Sequence, residues 1–137
     1  MSPFEFIEHT ADIGVRVSAP TMEELFQEAA AAMFAAVSSD PPSGWNEKRS
    51  VSLEAPDAES LIVDWLNELL YLLEVKLFWA VETRVSLSGN STRLEADVSG
   101  VKMEGTIEGT EIKAVTYHLL EIHPVEEGFE TDIYFDV

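Results

Sequence analysis

After Lys76 the apolar residues of this chain switch to a sustained period of two, and that switch limits the folds open to it. Before Lys76 two long segments repeat apolar residues at helical spacing; after it, apolar and polar residues alternate with period two. In the first helical segment Met22, Leu25, Phe26, Ala29, Met33 and Val37 recur on one face, and Thr21 with Glu24 three residues on predicts the helix start as a capping box. In the second, Leu61, Ile62, Trp65, Leu66, Leu69 and Leu73 form a wide apolar stripe behind Asp57, a side chain suited to an N-cap. Trp65 lies on that stripe and is expected in the core.

Short strands are expected at Phe4 to Glu8 and Ile13 to Ser18, with another at Val51 to Ala55. Beyond Lys76 the runs Val81 to Leu87, Leu94 to Val98, Val101 to Ile107, Ile112 to Ile122 and Phe129 to Phe135 read as further strands. Turn signals at Gly89-Asn90, Ser99-Gly100, Glu108-Gly109 and Glu127-Gly128 punctuate them into an antiparallel meander. The fold class expected is therefore α+β: one two-layer domain over residues 1–137, a mostly antiparallel sheet packed against two main helices. With 46% hydrophobic residues and 137 residues in all, the chain can bury such a core without disulfide or zinc staples.

Charge narrows the function. Lys and Arg total 8 against 26 Asp and Glu, a formal net charge of -18, and only Lys48 and Arg49 are adjacent among the cations. A phosphate backbone is repelled by such a surface, since nucleic-acid affinity rests largely on Lys and Arg releasing counterions. Direct nucleic-acid binding is not expected. The absence of cysteine removes thiol catalysis and thiolate zinc sites and suits a reducing compartment, so a cytoplasmic location is expected. The residues Met1 to Glu5 lack the basic and apolar regions of a signal peptide, and the most apolar stretch, Leu61 to Val75, is broken by Asp64, Asn67 and Glu68, so no membrane association is expected.

The sequence has no phosphate-binding G-x-x-x-x-G-K-[ST], no G-x-S-x-G and no H-E-x-x-H. Two concentrations of ionisable groups remain. Glu8, His9 and Asp12 fall within one tight connection between strands, where they serve either turn chemistry or a site. Asp132, Asp136 and the α-carboxylate of Val137 gather oxygen donors of the kind hard cations prefer. The two groups can meet only if the first and last strands are neighbours, which patterning does not reveal. His123 and the other strand histidine, His118, read as structural residues.

Glu8-His9-Thr10-Ala11-Asp12-Ile13-Gly14, followed by the Thr21-capped helix, resembles the opening of the archease family. The resemblance continues through Leu61 to Tyr71, which includes Asp64, Trp65 and Asn67, through Glu111 to His118, and into Phe135-Asp136-Val137. It implies a fold of strand-helix-strand-strand units. It also implies an accessory protein, not itself an enzyme, that promotes guanylylation of an RtcB-type tRNA-splicing ligase, supports its multiple turnover and broadens its nucleotide use. The family's metal site maps onto Asp12, Asp136 and the terminal carboxylate of Val137, for Ca²⁺ foremost, with Mg²⁺ or Mn²⁺ as alternatives. Lys113 and His9 are candidates for partner contact. Two other readings are weighed against this one: a broader chaperone or modulator of nucleic-acid-processing proteins, and a metal-dependent hydrolase built on Asp12, His9 and Asp136.

Overall fold

Both helices begin where their polar caps precede the apolar stripes. In the computed structural model, which describes residues 3–7, 12–104, 109–117 and 120–137, with Asp12 described by its backbone alone, α1 spans Met22–Val37 and α2 spans Ala58–Glu74. Thr21 Oγ1 accepts the Glu24 N–H at 3.1 Å, and Asp57 Oδ1 accepts the Ser60 N–H at 2.7 Å. Each bond satisfies one of the amides a helix leaves unpaired in its first turn. The Ser60 amide also holds the Asp57 carboxyl below its ordinary pKa.

The apolar faces of the helices meet in the core. Leu25, Phe26, Ala29 and Met33 of α1, and Leu61, Trp65, Leu66 and Leu69 of α2, are fully buried. Each large aliphatic or aromatic side chain so removed from water stabilises the fold by about 2 kcal/mol before entropy is counted. Trp65 is in the core as expected, and its indole N–H donates to the Phe26 carbonyl at 3.0 Å, tying α2 to α1.

The strands are β1 (Phe4–Ile7), β2 (Asp12–Ala19), β3 (Glu47–Glu54), β4 (Phe78–Ser88), β5 (Arg93–Lys102), β6 (Ala114–Val115), β7 (His123–Val125) and β8 (Gly128–Asp136). Among the described residues they form two antiparallel sheets, not the one sheet expected. In the first, β1, β2 and β8 lie side by side, and β6 and β7 pair with β8. In the second, β5 lies between β3 and β4. Helix α1 explains the division. It packs against both β2 and β4, and the Gln27 side-chain oxygen accepts the Val85 N–H at 2.9 Å, so a helix covers the edge of β4 where another strand would pair.

Two further boundaries differ from expectation. Ser99-Gly100 is not a turn: β5 runs through it as one strand, and a Cβ at Gly100 would collide with the Trp79 carbonyl and the Phe78 ring. The glycine serves close approach beside the register shift between Ala80 and Glu82, a local distortion that often calls for it. Among its described residues, the run Ile112 to Ile122 yields the two-residue β6, and side chains of α2 hold Tyr117 and Ile122 beyond it.

Candidate functional site

The β2–β8 ladder brings the two ends of the sequence together. It runs in unbroken register from Ala19 opposite Phe129 to Asp12 opposite Asp136. Period-two alternation sorts its rungs. Val15 with Ile133 and Val17 with Thr131 are buried against the helices, whereas Arg16 with Asp132 and Ser18 with Glu130 belong to the polar set. Asp12 and Asp136 occupy the last rung of that polar set, at the sheet's end, where paired Cα atoms of antiparallel strands lie within about 5.5 Å. The adjacency that patterning left open is thus present in the backbone.

Gly14, opposite Tyr134 and buried, is the next rung on the same side of the ladder. A Cβ there would come within 2.8 Å of the Tyr134 ring, so the glycine of the Asp12-Ile13-Gly14 motif makes room for that aromatic beside the sheet end.

Asp132 does not join Asp136. The Arg16 guanidinium holds it in a two-point ion pair, Nε to Oδ1 at 2.8 Å and Nη2 to Oδ2 at 3.1 Å. Those bonds, and the nearby charges of Glu130 and Glu5, raise the Arg16 pKa further. Asp132 sits four residues from Asp136, about 13 Å along the strand, and is satisfied there. His123 faces Glu130 across the β7–β8 pair, with Nε2 at 3.6 Å from Oε1, a cross-strand contact away from the sheet end.

On its other side, Asp136 is paired with Ala114 of β6, and the Lys113 N–H donates to the Asp136 carbonyl at 2.7 Å. The Lys113 side chain is exposed, and so are Asp136 and Val137. Backbone pairing therefore brings Asp12, Asp136 and Lys113 to one sheet end, and Val137 follows Asp136 in the chain. His9 and Glu8 lie outside the described residues. Among the described side chains, no three of His, Asp or Glu cluster as a metal site.

The sequence did not mark how β6 is held. Asn67, on α2, pairs with Val115 at two points: Val115 N–H donates to Oδ1 at 3.0 Å, and Nδ2 donates to the Val115 carbonyl at 3.3 Å. The Tyr117 hydroxyl donates to Asp64 Oδ1 at 2.8 Å, which together with desolvation and the carboxylate charge raises the tyrosine pKa. Glu59 Oε2 accepts the Ile122 N–H at 3.1 Å. The available signal was a mid-helix asparagine beside the apolar stripe, a residue with poor helix propensity whose amide commonly bonds backbone elsewhere.

No helix among the described residues is long and apolar enough to cross a membrane. Comparison with known proteins agrees with this architecture and with the sequence blocks. The model of the Archease protein family matches residues 4–137. The protein archease of Methanosarcina mazei is 39% identical over 139 residues, covering 98% of this chain and 95% of that protein. The solution structure of a Methanobacterium thermoautotrophicum protein superposes with a TM-score of 0.77 at 29% identity, with both chains covered in full. The crystal structure of an archease from Thermotoga maritima, described as a possible chaperone, superposes at 0.67 with 28% identity, covering 96% of this chain and 94% of that one. In sequence over its whole length and in its α+β fold, this chain belongs to the archease family.

Proposed function

We propose that this protein is a non-catalytic, cytoplasmic activator of an RtcB-type tRNA-splicing ligase, promoting the ligase's guanylylation and multiple turnover and broadening its nucleotide use. The observation that supports this most is the sheet end at which Asp12, Asp136 and Lys113 are adjacent in the backbone. Family membership is what suggests the partner, and the residues suggest the chemistry.

A group of carboxylate oxygens suits a hard divalent cation. Ca²⁺ is the first candidate, and Mg²⁺ or Mn²⁺ are the alternatives. Asp12, Asp136 and an α-carboxylate at Val137 would hold it, with water or the partner completing the shell. When bound, the cation neutralises carboxylates that otherwise repel one another and offers positive charge to an anionic group. Lys113, whose backbone N–H donates to Asp136, would supply a second positive charge at the same sheet end. The ligase, not this chain, carries out the covalent chemistry.

The test is a ligation assay with GTP, RtcB-type ligase and excess RNA ending in a 2′,3′-cyclic phosphate. Substoichiometric protein is expected to convert a slow reaction into repeated turnover and to speed formation of guanylylated ligase. A form extended beyond Val137 is expected to bind Ca²⁺ more weakly by calorimetry. Full activation by an extended form with unchanged metal affinity would remove Val137 from the ligand set. The broader modulator reading, favoured by the description of the Thermotoga maritima structure as a possible chaperone, predicts instead that unrelated nucleic-acid-processing proteins are captured and stimulated as well.

A further inference from the structure

We infer that Asn67 is a positioning residue: its amide holds β6 against β8 so that Lys113 stays beside the Asp12–Asp136 rung, a role that rests on the activator reading above. The strand β6 is two residues long, and a strand so short contributes too few ladder bonds to stay paired by itself. One edge of it pairs with β8. On the other, Asn67 replaces a neighbouring strand. Its side-chain amide presents a donor and an acceptor in the same arrangement as a peptide group, and both are used on Val115.

The same side of α2 secures the rest of the segment. Asp64 takes the Tyr117 hydroxyl and Glu59 takes the Ile122 amide, so three polar side chains along about 12 Å of helix hold Val115, Tyr117 and Ile122, while the Thr116 N–H still donates to the Tyr134 carbonyl of β8. Of the three, Asn67 makes the contact nearest to Lys113 in the chain, at Val115, two residues away. The Lys113 N–H in turn donates to the carbonyl of Asp136. The path from Asn67 to the sheet end therefore passes through Val115, Ala114 and Lys113, with Asp136 the residue it reaches.

Residue type matters at this position. Asp offers acceptors but no donor to the Val115 carbonyl, and Ala offers neither. A surface asparagine with only a helical role would be replaceable by Ala, a better helix former. Here Asn67→Ala is expected to free β6 locally while the core stripe of α2, on another side of the helix, stays packed.

The experiment combines amide hydrogen exchange with a double-mutant cycle on ligase activation, using the full chain. In Asn67→Ala, exchange at Lys113 and Val115 is expected to accelerate about tenfold or more, with Val15 and Ile133 in the core ladder unchanged. Activation by Asn67→Ala is expected to fall toward the level of Lys113→Ala, and the double variant is expected to be no worse than Lys113→Ala alone, because both changes act through one group. Unchanged exchange, or losses that multiply in the double variant, would overturn the proposal. If Asn67→Ala does not fold, Asn67→Asp, which retains the acceptor for the Val115 amide, carries the same measurements with a smaller effect. If the wild-type protein fails to activate any ligase, the activator reading falls, and the role of Asn67 in it falls even where exchange is faster.

Discussion

Arg16 and Asp132 face each other across the β2–β8 ladder and share two hydrogen bonds, at 2.8 and 3.1 Å. The pair is half-exposed, so its contribution to stability is small, on the order of 0–1 kcal/mol. Its significance is geometric. A slip of one residue would move every buried rung of this ladder to the outer face, and the Arg16–Asp132 contact agrees with the register that the apolar rungs dictate. That register puts Asp12 opposite Asp136 and leaves Asp132 with a partner of its own.

The indole of Trp65 joins the helices by packing and by one hydrogen bond, and the two effects are separable. Trp65→Phe is expected to lose about 1–2 kcal/mol, mainly the bond to the Phe26 carbonyl. Trp65→Ala is expected to lose about 3–5 kcal/mol, because a fully buried aromatic leaves a cavity. Urea denaturation with a common slope measures both. Similar losses for the two variants would show that packing around Trp65 contributes little.

The helices were legible because one stripe and one cap suffice to specify each: Thr21 and Asp57 lie at the starts, and the stripes behind them are buried. The β-rich half was legible in class but not in connection. Gly100 has the composition of a turn, yet its lack of a side chain serves a close approach to Trp79 from another strand, which no local window reveals. Residues 112–122 alternate like a strand, but among the described residues the β8 pairing covers only 113–116, and polar side chains on α2 hold Val115, Tyr117 and Ile122. The candidate site divides in the same way. Asp12 and Asp136 were nominated by their type and by family resemblance, and their proximity is a product of long-range register. Asp132 was grouped with them because it is close in sequence, but it lies four residues along the strand, paired with Arg16.

Tyr117 gives a pH-dependent signature of the α2 seam. Its pKa is raised by the hydrogen bond to Asp64, by desolvation and by the carboxylate charge, so the folded state favours the protonated phenol. A group whose folded pKa lies above its unfolded value, here about 10, stabilises fully below that value and loses its contribution as pH rises through the folded one. The difference in phenolate absorbance between wild type and Tyr117→Phe should therefore appear above pH 10. Asp64→Asn keeps an acceptor but removes the charge, and is expected to bring the transition back toward the ordinary value. A wild-type Tyr117 transition at or below the ordinary value would rule out the bond in solution.

The net charge of -18 predicts that the isolated protein does not bind tRNA at moderate salt. Without phosphate neutralisation by a cationic surface there is little counterion release to drive association. Filter binding or fluorescence anisotropy against salt concentration measures this directly. Tight binding that weakens steeply with salt would mean that the protein meets RNA itself, and its action on a ligase would then need to include that contact.

Asp12→Ala and Asp136→Ala are each expected to abolish ligase activation while leaving the fold intact. The two positions form the last polar rung of the ladder, and Asp136 is exposed, so its truncation removes no core contact and opens no cavity. In metal-free buffer stability should change by less than about 1 kcal/mol, since surface changes away from caps and buried networks are small. In Ca²⁺ the wild type should gain stability with the logarithm of metal concentration over dissociation constant, and both variants should lose that gain. Circular dichroism secures the fold, calorimetry reads the metal, and guanylylation of the ligase reads the function. Variants that fold, bind no metal and still activate fully would separate the cation from the mechanism. The positive charge that meets an anionic group of the ligase complex would then have to come from Lys113 alone, and Lys113→Ala would be the variant that loses activity.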